Sequence, residues 1–412
     1  MPRTTPPSLA SVSFSPIPSI VRQTAAATTA PPLLLCFSHL RWNFVFQRPQ
    51  HLLSRATKTY RVFFFEEPVF EEDAEPDLRI ERSNEGVMVA VPVLPHGLSA
   101  TETDEILRDL VDGLVGSTPS AETVLWYYTP MAMSFSDHLS ADVVIYDCMD
   151  ELSAFRGASP QMRDAERTLF SRADIVFTGG MSLYESKRRQ HRNVHAFPSS
   201  VDAAHFARAR RLGATDPLDQ AHIPHPRVGF FGVVDERMDL DFVREIAELR
   251  PDLNFVFIGP VVKIDPETLP QRANVHWLGG KDYKALPDYL AGWDMALMPF
   301  ALNESTRFIS PTKTPEFLAA GKPVVSTAVA DVVKPYGVEG LVEIAGSPAE
   351  AAAAVDRLFR MDRRPWEEKV ARKLASMSWD RTWGEMNALI LAELRPAAGL
   401  GVRAQGGVAA RV

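Results

Sequence analysis

The chain has 412 residues, 46% hydrophobic and 23% charged, with a formal charge of −8 at pH 7. That balance excludes global disorder, a coiled coil and collagen, and the length suits two or three domains. No apolar run nears the ~18–20 residues that cross a bilayer, and two cysteines, Cys36 and Cys148, make neither a disulfide framework nor a four-thiolate zinc site, which favours a reducing, cytoplasmic setting.

Residues 1–32 are rich in Pro, Ser, Thr and Ala without periodicity and read as a disordered tail. Residues 1–65 contain no Asp or Glu and carry a charge of +7, leaving −15 for the rest. An acidic chain does not bind nucleic acid non-specifically. The basic cluster Arg41, Arg48, Arg55, Lys58 and Arg61 is expected to meet an acidic substrate or an anionic membrane surface, as a peripheral protein at the inner face of the plasma membrane.

From residue 33 short apolar runs alternate with helix-length segments: strands at 33–37, 61–65, 87–91, 124–128, 143–146, 175–177 and 194–197, with a first helix at about 46–56. After a Pro-rich break at 221–226 the pattern restarts at 228–231, 255–258, 275–278, 295–298, 323–326 and 341–344, and helices follow at 349–359, 366–375 and 382–394. This is the signature of βαβ units. It predicts an α/β chain of two tandem doubly wound Rossmann-like domains, 33–205 and 206–378, with an interdomain cleft. A helix at 379–396 is expected to pack back on the first domain, before a second tail at 397–412.

Ligands in such sheets bind beyond the carboxyl ends of the strands. The strongest motif there is Ser310-Pro311-Thr312-Lys313, followed by Glu316 and, later, Gly321-Lys322-Pro323. Ser310 reads as an N-cap and Pro311 as the first helical residue. Free amides at Thr312 and Lys313 then bind an anion, Lys313 adds a charge, and Glu316 could accept from a vicinal diol such as ribose. A capped surface helix with a Lys313–Glu316 ion pair explains the same residues equally well.

Ser310-Pro311-Thr312-Lys313 with Glu316-Phe317-Leu318-Ala319-Ala320-Gly321-Lys322-Pro323-Val324-Val325 resembles the donor-binding motif of GT-B glycosyltransferases, specifically the large retaining group 1. The resemblance implies that the helix N-terminus with Lys313 holds a nucleoside diphosphate and that Glu316 holds the ribose. That group carries a Glu eight residues before Glu316, where this chain has Phe308. It often places an Arg after the glycine of its first C-terminal strand, where this chain has Gly232-Val233, leaving Arg237 as the substitute. Asp235 and Glu236 read as solvated loop charges. Gly259-Pro260 and Leu278-Gly279 match the strand ends expected at the nucleotide.

On the N-terminal side, Trp42-x4-Gln47-Arg48-Pro49 resembles a bacterial exopolysaccharide subgroup. His39 and Arg48 are acceptor-side candidates, although Arg48 could equally stabilise its loop. Asp147, Asp150 and Glu151 cluster after a strand, where like charges raise a pKa into general-base range, while capping and solvation explain them as well. Pro198-Ser199-Ser200-Val201-Asp202 reads as a structural hinge turn.

The expectation is a glycosyltransferase moving a hexosyl or related group from a nucleotide diphosphate-sugar to a glycan or lipid-linked acceptor. Lys313, Arg237, His39 and Asp150 are its catalytic candidates, and no metal or further cofactor is expected. The rivals are a nucleotide-sugar 2-epimerase and a non-catalytic nucleotide-binding protein. Deleting 1–30 or 398–412 should leave stability within about 0.5 kcal/mol by denaturant unfolding; loss of cooperative unfolding on either deletion would move these boundaries.

Overall fold

In the computed structural model, residues 30–211, 213 and 215–394 are described. The expected tails lie outside the described residues, apart from 30–32.

The first sheet is built on β1 (Leu33–Phe37), every residue of which is buried. It continues through β2 (Arg61–Phe65), β3 (Val69–Glu71), β4 (Asp77–Arg82), β5 (Met88–Pro95), β6 (Thr123–Tyr127), β7 (Val143–Cys148), β8 (Ile175–Thr178) and β9 (Val194–Ala196). The order is β3-β5-β2-β1-β6-β7-β8-β9, with β4 added antiparallel to β5. β1 pairs in parallel with both β2 and β6. Alternation splits β1 between two cores: Leu33, Leu35 and Phe37 face one, Leu34 and Cys36 the other, as a sheet covered on both faces requires. The β3 and β4 strands are absent from the sequence reading. β4 runs Asp-Leu-Arg-Ile-Glu-Arg, mostly exposed, a charged edge strand rather than an apolar run.

The second sheet is wholly parallel, with order β12-β11-β10-β13-β14-β15. Its strands are β10 (Arg227–Phe231), β11 (Asn254–Ile258), β12 (Val275–Trp277), β13 (Met295–Met298), β14 (Val324–Ser326) and β15 (Glu343–Ile344). In each sheet the strand order reverses beside the first strand, at β1/β6 and at β10/β13. A crevice opens at the carboxyl ends of such strands, and here the two crevices share one cleft lined from both domains.

The helix Trp379–Leu394 lies on the first domain. Trp379, Trp383, Met386 and Ile390 join the core that holds Leu52, Leu53, Tyr60 and Trp126. Each such buried side chain contributes roughly 1.5–3 kcal/mol of apolar burial. Arg55 adds a two-pronged contact to Asp380, at 3.0 and 3.1 Å.

The basic cluster expected to face lipid or acidic substrate is largely taken up inside the fold. Arg41 binds Glu66 at 3.0 Å, Arg48 is buried against Asp147 at 2.9 Å, Arg55 holds Asp380, and Arg61 donates to the Pro119 carbonyl at 2.8 Å. The acids that pair with Arg41, Arg48 and Arg55 come from later in the chain, so tertiary pairing offsets three of these five charges.

His51, 4% exposed, stacks on Trp379 with ring centroids 4.6 Å apart. Burial, aided by Arg55 and His205, lowers its pKa to about 3. The folded state therefore binds fewer protons than the unfolded chain below pH 6.5, and stability falls as pH drops from there toward 3. His51→Phe, which keeps a stacking ring but cannot titrate, should remove about 2 kcal/mol of the stability lost between pH 7 and pH 5. Unfolding curves at the two pH values read it; an unchanged pH dependence would contradict the assignment.

Candidate functional site

The cleft between the domains has a volume of about 750 Å³. Its C-terminal wall includes Gly232, Val233, Arg237, Gly259, Pro260, Thr312, Lys313 and Glu316; its N-terminal wall is the 42–47 loop with Gln50 and residues 81–85. Gly232 follows β10 and Gly259 follows β11. A Cβ on Gly259 would lie 1.7 Å from the Gly232 carbonyl oxygen, and one on Gly232 would lie 2.0 Å from Lys313 Cε. Both glycines have φ near +145°, at +143° and +151°, where a side chain is strained. Two strand-end loops and a lysine stem thus approach as closely as only glycine permits.

The helix carrying Lys313 starts later than expected, at Lys313–Ala319. Thr312 stands at the N-cap position without a side-chain cap, and a turn joins Thr314 N–H to the Pro311 carbonyl at 3.3 Å. Pro315, in the first helical turn, needs no donor there. Ser310 is therefore not the cap. Its carbonyl accepts from Ser199 Oγ at 3.0 Å, so it closes the hinge and does not line the cleft. Asp202, in the same hinge turn, caps the helix Ala203–Ala207.

Among the described residues no carboxylate comes within ion-pair distance of Lys313, so the expected Lys313–Glu316 surface pair is absent. Burial lowers the Lys313 pKa, opposed by the charge of Glu316 nearby. Glu316 is 5% exposed, and burial pushes its carboxyl well up. Asp235 is also buried rather than solvated, holding Arg237 through Nε–Oδ1 at 2.9 Å and Nη2–Oδ2 at 2.7 Å. Glu236 accepts from Arg156 N–H across the domain boundary at 3.1 Å.

The three acids after β7 part company. Asp147, fully buried, receives Arg48 through two bonds of 3.0 and 2.9 Å, while Arg48 also donates to the Phe197 carbonyl at 2.7 Å. Glu151 pairs with Lys187 at 2.8 Å, beside Glu166. Neither Arg48, Asp147 nor Glu151 reaches the cleft, which corrects the acceptor-side expectation. Arg48 and Asp147 offset each other within the first domain, and Glu151 shares Lys187 with Glu166. Asp150 alone turns toward the second domain. Burial raises its pKa, and Arg237 and then Arg48 oppose the shift, with Lys313 adding a smaller effect. His39, after β1, is held neutral: burial, reinforced by Lys263, lowers its pKa to about 4. Its Nδ1 is buried without a partner among the described residues.

Leu278 and Gly279 do not line the cleft. The Leu278 amide donates to the Phe257 carbonyl and the Gly279 carbonyl accepts from Gly259, both at 2.9 Å. Phe308 packs against the first domain's core. Unforeseen residues include Tyr283, stacked between Phe46 at 4.7 Å and His205 at 4.4 Å, and Phe155, whose ring meets two cations. Tyr283 begins a short 3-10 helix and Phe155 follows another, and neither carries a periodic signal that marks it as a site residue. No group of three or more His, Cys, Asp or Glu side chains is placed to hold a metal among the described residues.

Residues 225–361 match the family model described as glycosyl transferases group 1. A curated relative, "Putative teichuronic acid biosynthesis glycosyltransferase TuaH" of Bacillus subtilis (strain 168), is 28% identical over 297 residues, covering 66% of this chain and 73% of its own. Among solved structures, sucrose-phosphate synthase from Thermosynechococcus elongatus superposes with TM-score 0.63 at 15% identity over 88% of this chain and 98% of that one. The E. coli trehalose-6-phosphate protein bound with UDP-2-fluoro glucose gives 0.63 at 12% identity over 89% and 99%. WaaG, a glycosyltransferase involved in lipopolysaccharide biosynthesis, gives 0.58 at 13% identity over 87% and 99%. The fold is GT-B. The chain is a glycosyltransferase, similar to group 1 over residues 225–361.

The two glycines should respond differently to a methyl group. Gly259→Ala meets backbone and should cost about 2 kcal/mol or more of stability. Gly232→Ala meets the movable end of Lys313, and should instead weaken UDP or GDP binding about tenfold or more with a smaller change in melting temperature. Melts and calorimetric titration separate the two, and equal effects would contradict the close approach described.

Proposed function

We propose that this glycosyltransferase moves a hexosyl or related group, with retention of anomeric configuration, from a nucleoside diphosphate-sugar to a glycan or lipid-linked acceptor in polysaccharide biosynthesis. One observation carries the reading: the Lys313 ammonium lies over Gly232 in an interdomain cleft, with no carboxylate paired to it among the described residues. A desolvated cation without a counter-ion favours an anionic ligand. Arg237 stands on the same wall with Nη1 lacking an acceptor among the described residues. Thr312 lies beside them, and Glu316, one helical turn on, would accept from a ribose.

Breaking the glycosidic bond puts negative charge on the leaving diphosphate. Lys313 and Arg237 would stabilise that charge in a partly desolvated site, where such fixed electrostatics weigh most. A retaining transfer asks little of a strong protein base. Asp150, with its raised pKa, and neutral His39 stand on the acceptor side, where each could take or hold the acceptor's proton. A fold neighbour binds UDP-2-fluoro glucose, which supports a nucleoside diphosphate-sugar as donor. Among the described residues no helix is long and apolar enough to cross a membrane, so a lipid-linked acceptor would be met at a surface.

Lys313 and Glu316 should fail differently. Lys313→Ala should lower kcat ten- to a hundredfold, as a loss of about 1.4–2.7 kcal/mol of transition-state stabilisation. Glu316→Gln should mainly raise donor KM, because a ribose contact is similar in ground and transition states. Steady-state kinetics with a donor that supports turnover decide it. Wild-type kinetics in both variants would remove this segment from the donor site.

A further inference from the structure

The connection after β7 leaves the first domain and reaches the second. Its start, Asp150, faces the cations of the cleft, and the Arg156 amide donates to Glu236 Oε1. Between them the Phe155 ring lies 5.6 Å from the guanidinium carbon of Arg237 and 5.7 Å from Lys263 Nζ. Lys263 adopts φ +60°, a left-handed conformation uncommon for a side-chain-bearing residue. Two like charges of one domain thus converge on a neutral ring of the other, whose negative face offsets part of their desolvation and mutual repulsion.

Arg237 is consequently held on two sides. Asp235 grips its Nε and Nη2 in the guanidinium plane, which leaves Nη1 free of acceptors among the described residues, on the wall that carries Lys313 and Gly232. In-plane bonds to a neighbouring loop carboxylate do not prevent the plane from tilting; a ring packed against the guanidinium does.

We propose that Phe155 is a positioning residue, supplied by the acceptor-side domain, that fixes the plane of the Arg237 guanidinium so that Nη1 is presented to the diphosphate of the donor. The proposal rests on the donor reading above and extends it. The anion site is complete only when the two domains are together, so diphosphate affinity depends on a residue that makes no contact with the nucleotide.

The test is calorimetric titration of UDP, GDP and uridine into the wild-type chain and into Phe155→Leu, Phe155→Tyr and Phe155→Trp. Leucine keeps apolar bulk and loses the π face. Phe155→Leu should weaken the better-bound diphosphate about three- to thirtyfold, with uridine affinity and melting temperature unchanged, and should lower kcat where a donor turns over. Tyrosine and tryptophan should restore both to within about twofold of wild type. The proposal falls if leucine behaves as wild type while Lys313→Ala weakens the diphosphate. It falls too if tyrosine and tryptophan fail as leucine does, or if uridine binding drops along with the diphosphate. A wild-type chain that binds neither diphosphate more tightly than uridine sinks the donor reading itself, and this proposal with it.

Discussion

The end of the Lys313 side chain lies over Gly232 where a Cβ would have to displace it, and much of the site follows from that contact. The lysine can reach the end of β10 only because Gly232 lacks a side chain. Gly232 in turn sits against Gly259, whose Cβ would overlap its carbonyl oxygen. Three loops from three chain regions thus converge within a few ångströms, and the ammonium they position is drawn from water without a counter-ion among the described residues. Burial then works in opposite directions on the neighbouring groups, depressing the Lys313 pKa and raising that of Glu316. The result is a wall on which Arg237 is paired with Asp235 and Lys313 with no carboxylate among the described residues, where a folded core would have paired both.

Elsewhere the chain does pair them. Arg48 with Asp147, and Lys187 with Glu151 and Glu166, are enclosed in the first domain. Leaving either partner of such a buried pair alone would cost about 3–5 kcal/mol. These pairs anchor the strand ends and the first helix from which the 42–50 loop reaches into the cleft. The same division separates Asp150 from its neighbours. With Asp147 and Glu151 each holding a cation inside the domain, Asp150 is left to feel the charges of Arg237 and Lys313 in the second domain.

The domains are joined by more than the cleft. The helix Trp379–Leu394 returns to the first domain, and His51 links it through ring contacts to Tyr283 of the second. Phe308 leans on the first domain's core, and Ser310 accepts from Ser199 at the hinge. A site assembled from two bodies needs their relative placement held, and here ring and apolar contacts do so together with hydrogen bonds such as Ser199 to Ser310 and Arg156 to Glu236.

The order of apolar runs and breaks was enough to determine two doubly wound domains, because strands buried on both faces leave a local signature that does not depend on their partners. The Ser310–Glu316 motif likewise pointed to a helix beside an anion site, since glycines, lysine and glutamate at strand ends act within a few residues of one another. Tertiary structure decided which charges are free. Arg48, Asp147 and Glu151 look like cleft residues in the sequence and are not, because their partners lie up to 99 positions away; Asp235 looks solvated and is buried on Arg237. It also decided the start of the Lys313 helix, where a distant hinge serine takes the Ser310 carbonyl, and it brought Phe155, Tyr283 and Lys263 to the site from segments with no periodic pattern. Local spacing encodes which residue types share an element, but whether a charge is neutralised depends on contacts made only when the chain has folded.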